Sequence, residues 1–165
     1  MPLLYYLNVT LHVLAALTWL GGMFFLGLVG APVLRAVEPA SLRQALFHQL
    51  GLRFRTVGWA CLAVLLATGL VNLSYRGWLH WTGVWDSPDF WRTPVGIALG
   101  TKVVMVLAMA GLAALHDFVI GPAAGRAPTG SPEALALRAR AAWMGRLNAV
   151  LGVVLLVAAI RLTRG

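Results

Sequence analysis

Four long stretches of this chain carry almost no charged side chains, and each is long enough to cross a lipid bilayer. The first covers residues 3–31 without one formal charge, whereas a transmembrane helix needs only about 20 apolar residues. The others cover about residues 56–75, 94–116 and 143–162. Of all 165 residues, 60% are hydrophobic and 11% are charged, which is far from the composition of soluble domains. We therefore predict an all-α integral membrane protein, a four-transmembrane-helix bundle forming a single membrane domain over residues 1–165.

The connections between these stretches have patterns of their own. Residues 41–55 are amphipathic and predict a helix that lies in the membrane interface before the second span. Their apolar side chains recur every four positions: Leu42, Leu46, Leu50 and Phe54. Residues 121–130 are rich in Gly, Pro and Ala, which is typical of a linker. The fourth helix is predicted to begin at Ser131 and Pro132, since these types favour the N-cap and the first helical position.

The arginines predict the orientation in the membrane. Eight lie in or beside the connections after the first and third spans: Arg35, Arg43, Arg53, Arg55, Arg126, Arg138, Arg140 and Arg146. Four lie on the opposite side: Arg76, Arg92, Arg161 and Arg164. The positive-inside rule then places both termini outside the cytoplasmic membrane of a bacterium. The net charge of +8 faces anionic lipid in this topology, so we expect no nucleic-acid partner.

The connection after the second span is rich in tryptophan, with Trp78, Trp81 and Trp85 close together. This pattern is typical of the aromatic belt at a membrane interface. A lid over an outward-facing pocket is the alternative.

Two ionisable residues lie inside the predicted spans, where such groups are costly and often functional. His12 lies in the first span and Lys102 in the third, at matched depth. Thr68 and Asn72 of the second span, with Thr10, are expected to complete a polar cluster around them. The structural alternative is that His12 and Lys102 only hydrogen-bond to each other, or that Lys102 extends towards the headgroups.

Each of these two spans carries a stripe of potential ligands at helical spacing. His12 shares a face with Trp19 and Met23, and Lys102 shares one with three further residues: Met105, Met109 and His116. Nitrogen bases together with thioethers suit copper(I) or a haem iron. Packing is the alternative role of the methionines.

A second polar cluster is expected at the inner face. His48 and His116 are matched in depth there, and three arginines beside them are candidates to hold haem propionates: Arg53, Arg55 and Arg146. Anchoring by the positive-inside rule is the alternative. His12 and His116 are too far apart along the membrane normal to ligate one ion. If the two halves are parallel repeats, His12 and Lys102 occupy equivalent positions.

Four segments resemble the copper-resistance D (CopD) family of membrane proteins. They are LHVLAALTWLGGMFF (residues 11–25), RFRTVGWACLAVLLATGLVNL (53–73), TKVVMVLAMAGLAALHDFVIGP (101–122) and GRLNAVLG (145–152). The resemblance implies a four-helix membrane domain associated with copper uptake or resistance. More distantly, the chain is similar to HemJ-type protoporphyrinogen oxidases, which are four-helix haem b proteins. His12 and Lys102 match the histidine and lysine of that group.

The first functional hypothesis is a haem b or copper binding or redox protein whose site lies inside the helix bundle. His12 and His116 are the predicted ligands at separate levels, and Lys102 compensates charge or transfers protons. The alternatives are a copper uptake or resistance component without catalysis, a HemJ-like porphyrinogen oxidase, and a cofactor-free partner subunit. Whether the chain is an enzyme stays open. Besides lipid, an electron-transfer or copper-delivery protein and a second copy of the chain are the expected partners.

Overall fold

The computed structural model describes residues 3–77, 86–128 and 130–164, with side chains up to Ile160. Trp78, Trp81 and Trp85 lie outside this range, as do the side chains of Arg161 and Arg164. Seven α-helices occur in the described ranges: α1 (Leu3–Phe25), α2 (Ala31–Arg35), α3 (Ala40–Tyr75), α4 (Pro88–Arg92), α5 (Pro94–Leu115), α6 (Gly121–Arg126) and α7 (Pro132–Arg164). The same ranges contain no β-strand.

The chain folds as two compact units, Met1–Asp86 and Ser87–Gly165. In the N-terminal unit α1 packs along α3, and in the C-terminal unit α5 packs along α7. Four helical segments are long and apolar enough to cross a membrane: Leu3–Arg35, Ala40–Tyr75, Pro94–Arg126 and Pro132–Ile160. Large apolar side chains such as Leu28 and Leu107 are mostly exposed, which is expected where the solvent is lipid. The prediction of an all-α, multi-pass membrane protein is confirmed.

Helices continue through two of the connections predicted between the spans. The amphipathic segment at residues 41–55 is helical, as predicted, and it runs without a break into the second span as the first part of α3. Its only helix-weakening residue is Gly51, and a single glycine costs about 1 kcal/mol. More than half of the predicted linker at residues 121–130 is helical as well, since α6 extends the third span to Arg126.

Two π-helical turns explain how the first and third spans continue past a proline. The turn Leu26–Gly30 joins α1 to α2, and the turn His116–Ile120 joins α5 to α6. In an α-helix the proline ring collides with the carbonyl group four residues earlier. The wider π turn relieves this collision before Pro32 and Pro122.

Local capping sets the ends of the remaining helices. The Ser131 Oγ accepts a hydrogen bond from the Ala134 N–H at 3.1 Å, so the predicted start of the fourth helix is confirmed. The Thr93 Oγ1 caps α5 by accepting from the Gly96 N–H at 3.0 Å. After α3 the chain turns at Gly77, whose φ of 70° suits glycine because it has no Cβ.

Candidate functional site

In the half of the N-terminal unit that contains the start of α1, a series of side-chain pairs joins α1 to α3. At its end the rings of Tyr5 and Tyr75 meet edge to face, with their centroids 5.1 Å apart. One turn further in, the Asn8 Nδ2 donates to the Asn72 Oδ1 at 2.9 Å and to the backbone oxygen of Thr68 at 3.1 Å. These bonds fix the register of the two helices.

His12 lies one turn below this amide bridge and contacts α3 directly. Its Nδ1 lies 2.7 Å from the Thr68 Oγ1, and Thr68 is only 5% exposed. The Thr68 hydroxyl also lies 2.6 Å from the backbone oxygen of Val64. Gly69 lies beside the ring, and a Cβ at that position would make an ordinary contact of 3.8 Å with the His12 Cε1. The expectation that Thr68 accompanies His12 is confirmed.

The sequence missed Asn8 and misplaced Thr10. Asn8 and His12 are four residues apart and therefore share a face of α1, which was the available signal. Thr10 is exposed, because a residue two positions from both lies on another side of the helix.

Below the histidine, α1 and α3 approach closely at glycine positions. Trp19 is 5% exposed and packs over Gly58, whose Cβ, if present, would lie 3.5 Å from the indole Nε1. A Cβ on Gly22 would lie 2.5 Å from the Phe54 Cε2. Dense packing therefore fills this part of the interface.

The C-terminal unit holds its histidine by a different arrangement. The His116 Nδ1 lies 2.8 Å from the Asp117 Oδ1 within the second π turn. The His116 side chain is 41% exposed and that of Asp117 is 16% exposed. A carboxylate on one ring nitrogen orients an imidazole and leaves the other nitrogen to act in binding or proton transfer.

The methionines occupy different environments within their own helices. Met109 is fully buried in the C-terminal unit, whereas Met105 and Met23 are half-buried. Met23 is eleven residues from His12 on the same helix, about 16 Å along its axis. One copper ion cannot contact both of these side chains. In the ranges that the structure describes, no group of three His, Cys, Asp or Glu residues could hold a metal ion.

The remaining predicted site residues lie on three helices. Lys102 is half-buried on α5. His48 and Arg53 are exposed on the first half of α3, where Arg55 is half-buried, and Arg146 is exposed on α7. Arg55 is thirteen residues from Thr68, about 20 Å along α3. The arginines of α3 therefore lie at a different level from His12, as the sequence indicated.

Comparison with known proteins identifies the family. The family "Copper resistance protein D", CopD, matches residues 48–162. The chain belongs to the CopD family. It is also 33% identical over 156 residues to an uncharacterized protein of Aquifex aeolicus (strain VF5), covering 94% of this chain and 92% of that protein. No solved structure matches the chain. The CopD match begins at His48 and thus after α1, which carries His12.

Proposed function

We propose that this CopD-family chain binds a redox-active metal centre inside the bacterial cytoplasmic membrane, with His12 as its main ligand and haem b as the best-fitting cofactor. The observation that supports this most directly is the bond between the His12 Nδ1 and the Thr68 Oγ1. A histidine held through one ring nitrogen offers the other to a metal. Its position within a membrane span favours a functional role.

The donor set favours haem over a closed copper site. A copper ion held by His, Cys, Asp or Glu needs several such ligands together, and the described residues contain no group of three. A haem iron takes four ligands from its own porphyrin, so one histidine is enough on one side. Haem b, when bound, supplies one-electron chemistry at its iron.

The other residues have assignable roles in this proposal. Lys102, at the position of α5 that corresponds to His12, compensates charge or transfers protons. His48, Arg53 and Arg55 are the candidates of the N-terminal unit for binding propionates or a second centre. His116 and Arg146 are those of the C-terminal unit. With both termini outside, an electron-transfer or copper-delivery protein is the expected partner.

Copper transit without catalysis is the second candidate, and membership of the CopD family favours it. A cargo ion needs only transient contacts, so the separation of His12 from Met23 is compatible with successive steps. On α5, Met105 and Met109 are the thioethers that can make such transient contacts. Thioether and imidazole groups suit copper(I).

Visible absorption of the purified full chain in detergent separates these functions. We expect a Soret band with reducible α and β bands after expression in haem-replete cells, and its loss in His12→Ala. The control is Thr10→Ala, which removes an exposed polar side chain from the same turn region and should keep the band.

The other outcomes are equally informative. A protein without the band that binds copper(I) through His12 supports copper transit and overturns the haem proposal. A chain that binds neither haem nor copper(I) is a cofactor-free partner subunit. A band that survives in His12→Ala but disappears in His116→Ala moves the ligand to the inner end.

A further inference from the structure

We infer that Thr68 is a positioning residue that holds the proton of His12 on Nδ1 and thereby makes Nε2 the ligating atom. The inference about the ligating atom rests on the proposed function, whereas the position of the proton does not. Neither the CopD match nor the motifs of the chain point to Thr68 in this role.

The Thr68 hydroxyl has a single proton to donate. The Oγ1 lies 2.6 Å from the backbone oxygen of Val64, and a carbonyl oxygen can only accept. Two oxygen atoms at this distance repel each other unless a proton lies between them. The hydroxyl therefore donates to Val64, the common bond of a helical threonine to the carbonyl four residues earlier.

With its proton used in this way, the Thr68 Oγ1 has only lone pairs for His12. The Nδ1 at 2.7 Å must then be the donor. In a neutral imidazole one nitrogen carries the proton and the other a lone pair, so the lone pair is on Nε2. This is the form that binds a metal.

Two features keep this arrangement in place. Thr68 is 5% exposed, which limits access of a competing donor to its hydroxyl. The Asn8 Nδ2 bonds both the Thr68 backbone oxygen and the Asn72 Oδ1, so the amide bridge holds α3 at the height of His12. Thr68 and Asn8 carry no charge, so this part of the arrangement avoids the cost of placing a carboxylate within a span.

Nitrogen NMR of the full chain in detergent, labelled at histidine and free of added metal, tests the proton position directly. We expect His12 to carry its proton on Nδ1 in the wild type and in Thr68→Ser. In Thr68→Val, which keeps the shape of the side chain but removes the acceptor, the proton should shift towards Nε2. Thr56→Val is the matched control, because Thr56 makes the same bond to a carbonyl of α3, that of Leu52, without a histidine.

Titration with ferric haem b and with copper(I) gives the second readout. Thr68→Val should weaken binding of the probe that the wild type takes up by about 10–100-fold, while Thr68→Ser and Thr56→Val stay within about 3-fold. A wild-type His12 with its proton on Nε2 overturns the inference, even if Thr68→Val fails to fold. So does a folded Thr68→Val with unchanged tautomer and affinity. A wild type that shows the expected tautomer but binds neither probe overturns only the proposed function.

Discussion

The two units share a helical framework but hold their polar side chains in different ways. Ninety residues separate the starts of the two π turns, and the same interval separates Pro32 from Pro122 and His12 from Lys102. Some positions buried in one unit correspond at this interval to positions buried in the other, as in Trp19 with Met109 and Gly58 with Asn148. Apart from α4, the order of α-helices and π turns in one half therefore recurs in the other.

The polar side chains of the two units make different hydrogen bonds. In the N-terminal unit Asn8 and His12 bond across to α3, over about 60 residues of sequence. In the C-terminal unit the hydrogen bond of His116 is local, since it reaches only the neighbouring Asp117. A hydroxyl contacts the histidine within α1, whereas a carboxylate contacts the histidine of the π turn after α5. The two units thus differ in how they hold their histidines, although their helices follow the same order.

The largest effect on stability is expected in the C-terminal unit, at Gly96. A Cβ there would overlap the backbone oxygen of Phe90, which cannot move without displacing α4. We expect Gly96→Ala to lower the free energy of unfolding by about 3 kcal/mol. Unfolding in mixed micelles, followed by circular dichroism, measures it. Gly100→Ala is the control, since its Cβ would meet Trp91 at an ordinary 3.5 Å.

A smaller loss of stability is expected at the tight contact between Gly22 and Phe54 in the N-terminal unit. The Cβ of Gly22→Ala would press on the Phe54 ring, but a ring can turn aside, so we expect a loss of about 1–2 kcal/mol. Gly21→Ala meets nothing within 4 Å and should raise stability by up to about 1 kcal/mol through helix propensity. Equal losses for Gly22→Ala and Gly21→Ala would mean that α1 and α3 do not meet here.

The smallest effect on stability is expected for the hydrogen bond between Asn8 and Asn72, which joins α1 to α3 in the N-terminal unit. In a double-mutant cycle of Asn8→Ala and Asn72→Ala, we expect a coupling of about 0.6 kcal/mol, typical of hydrogen bonds between membrane helices. The same unfolding assay supplies the four free energies. Strictly additive losses would contradict a direct bond between the two amides.

The sequence predicted the features that depend on composition and local chemistry. Four apolar stretches and the Ser131 cap suffice to place the membrane helices, because lipid requires long apolar segments. The partnership of His12 and Thr68 was also predictable, since both lie at a similar depth in adjacent spans.

The features that the sequence did not predict depend on hydrogen bonding between successive turns of a helix. The continuity of α3 through Gly51 reflects helix propagation, which adds hydrogen bonds on both sides of one weak position. The π turns have no distinctive residue type: Leu26 begins one and His116 the other. The proline that comes after each of them was the signal, but by itself a proline predicts the end of a helix.

The two π turns also change the angular phase of the helical residues that come after them. Each accommodates about one residue more than an α turn, so later side chains are displaced by about 100° around the helix axis. Arg35 and Arg126 both come after such a turn. A helical wheel drawn from His12 or Lys102 therefore assigns these two arginines to the wrong sides of their helices, and a one-residue deletion in either turn would rotate the basic end of the span while leaving its apolar part in place.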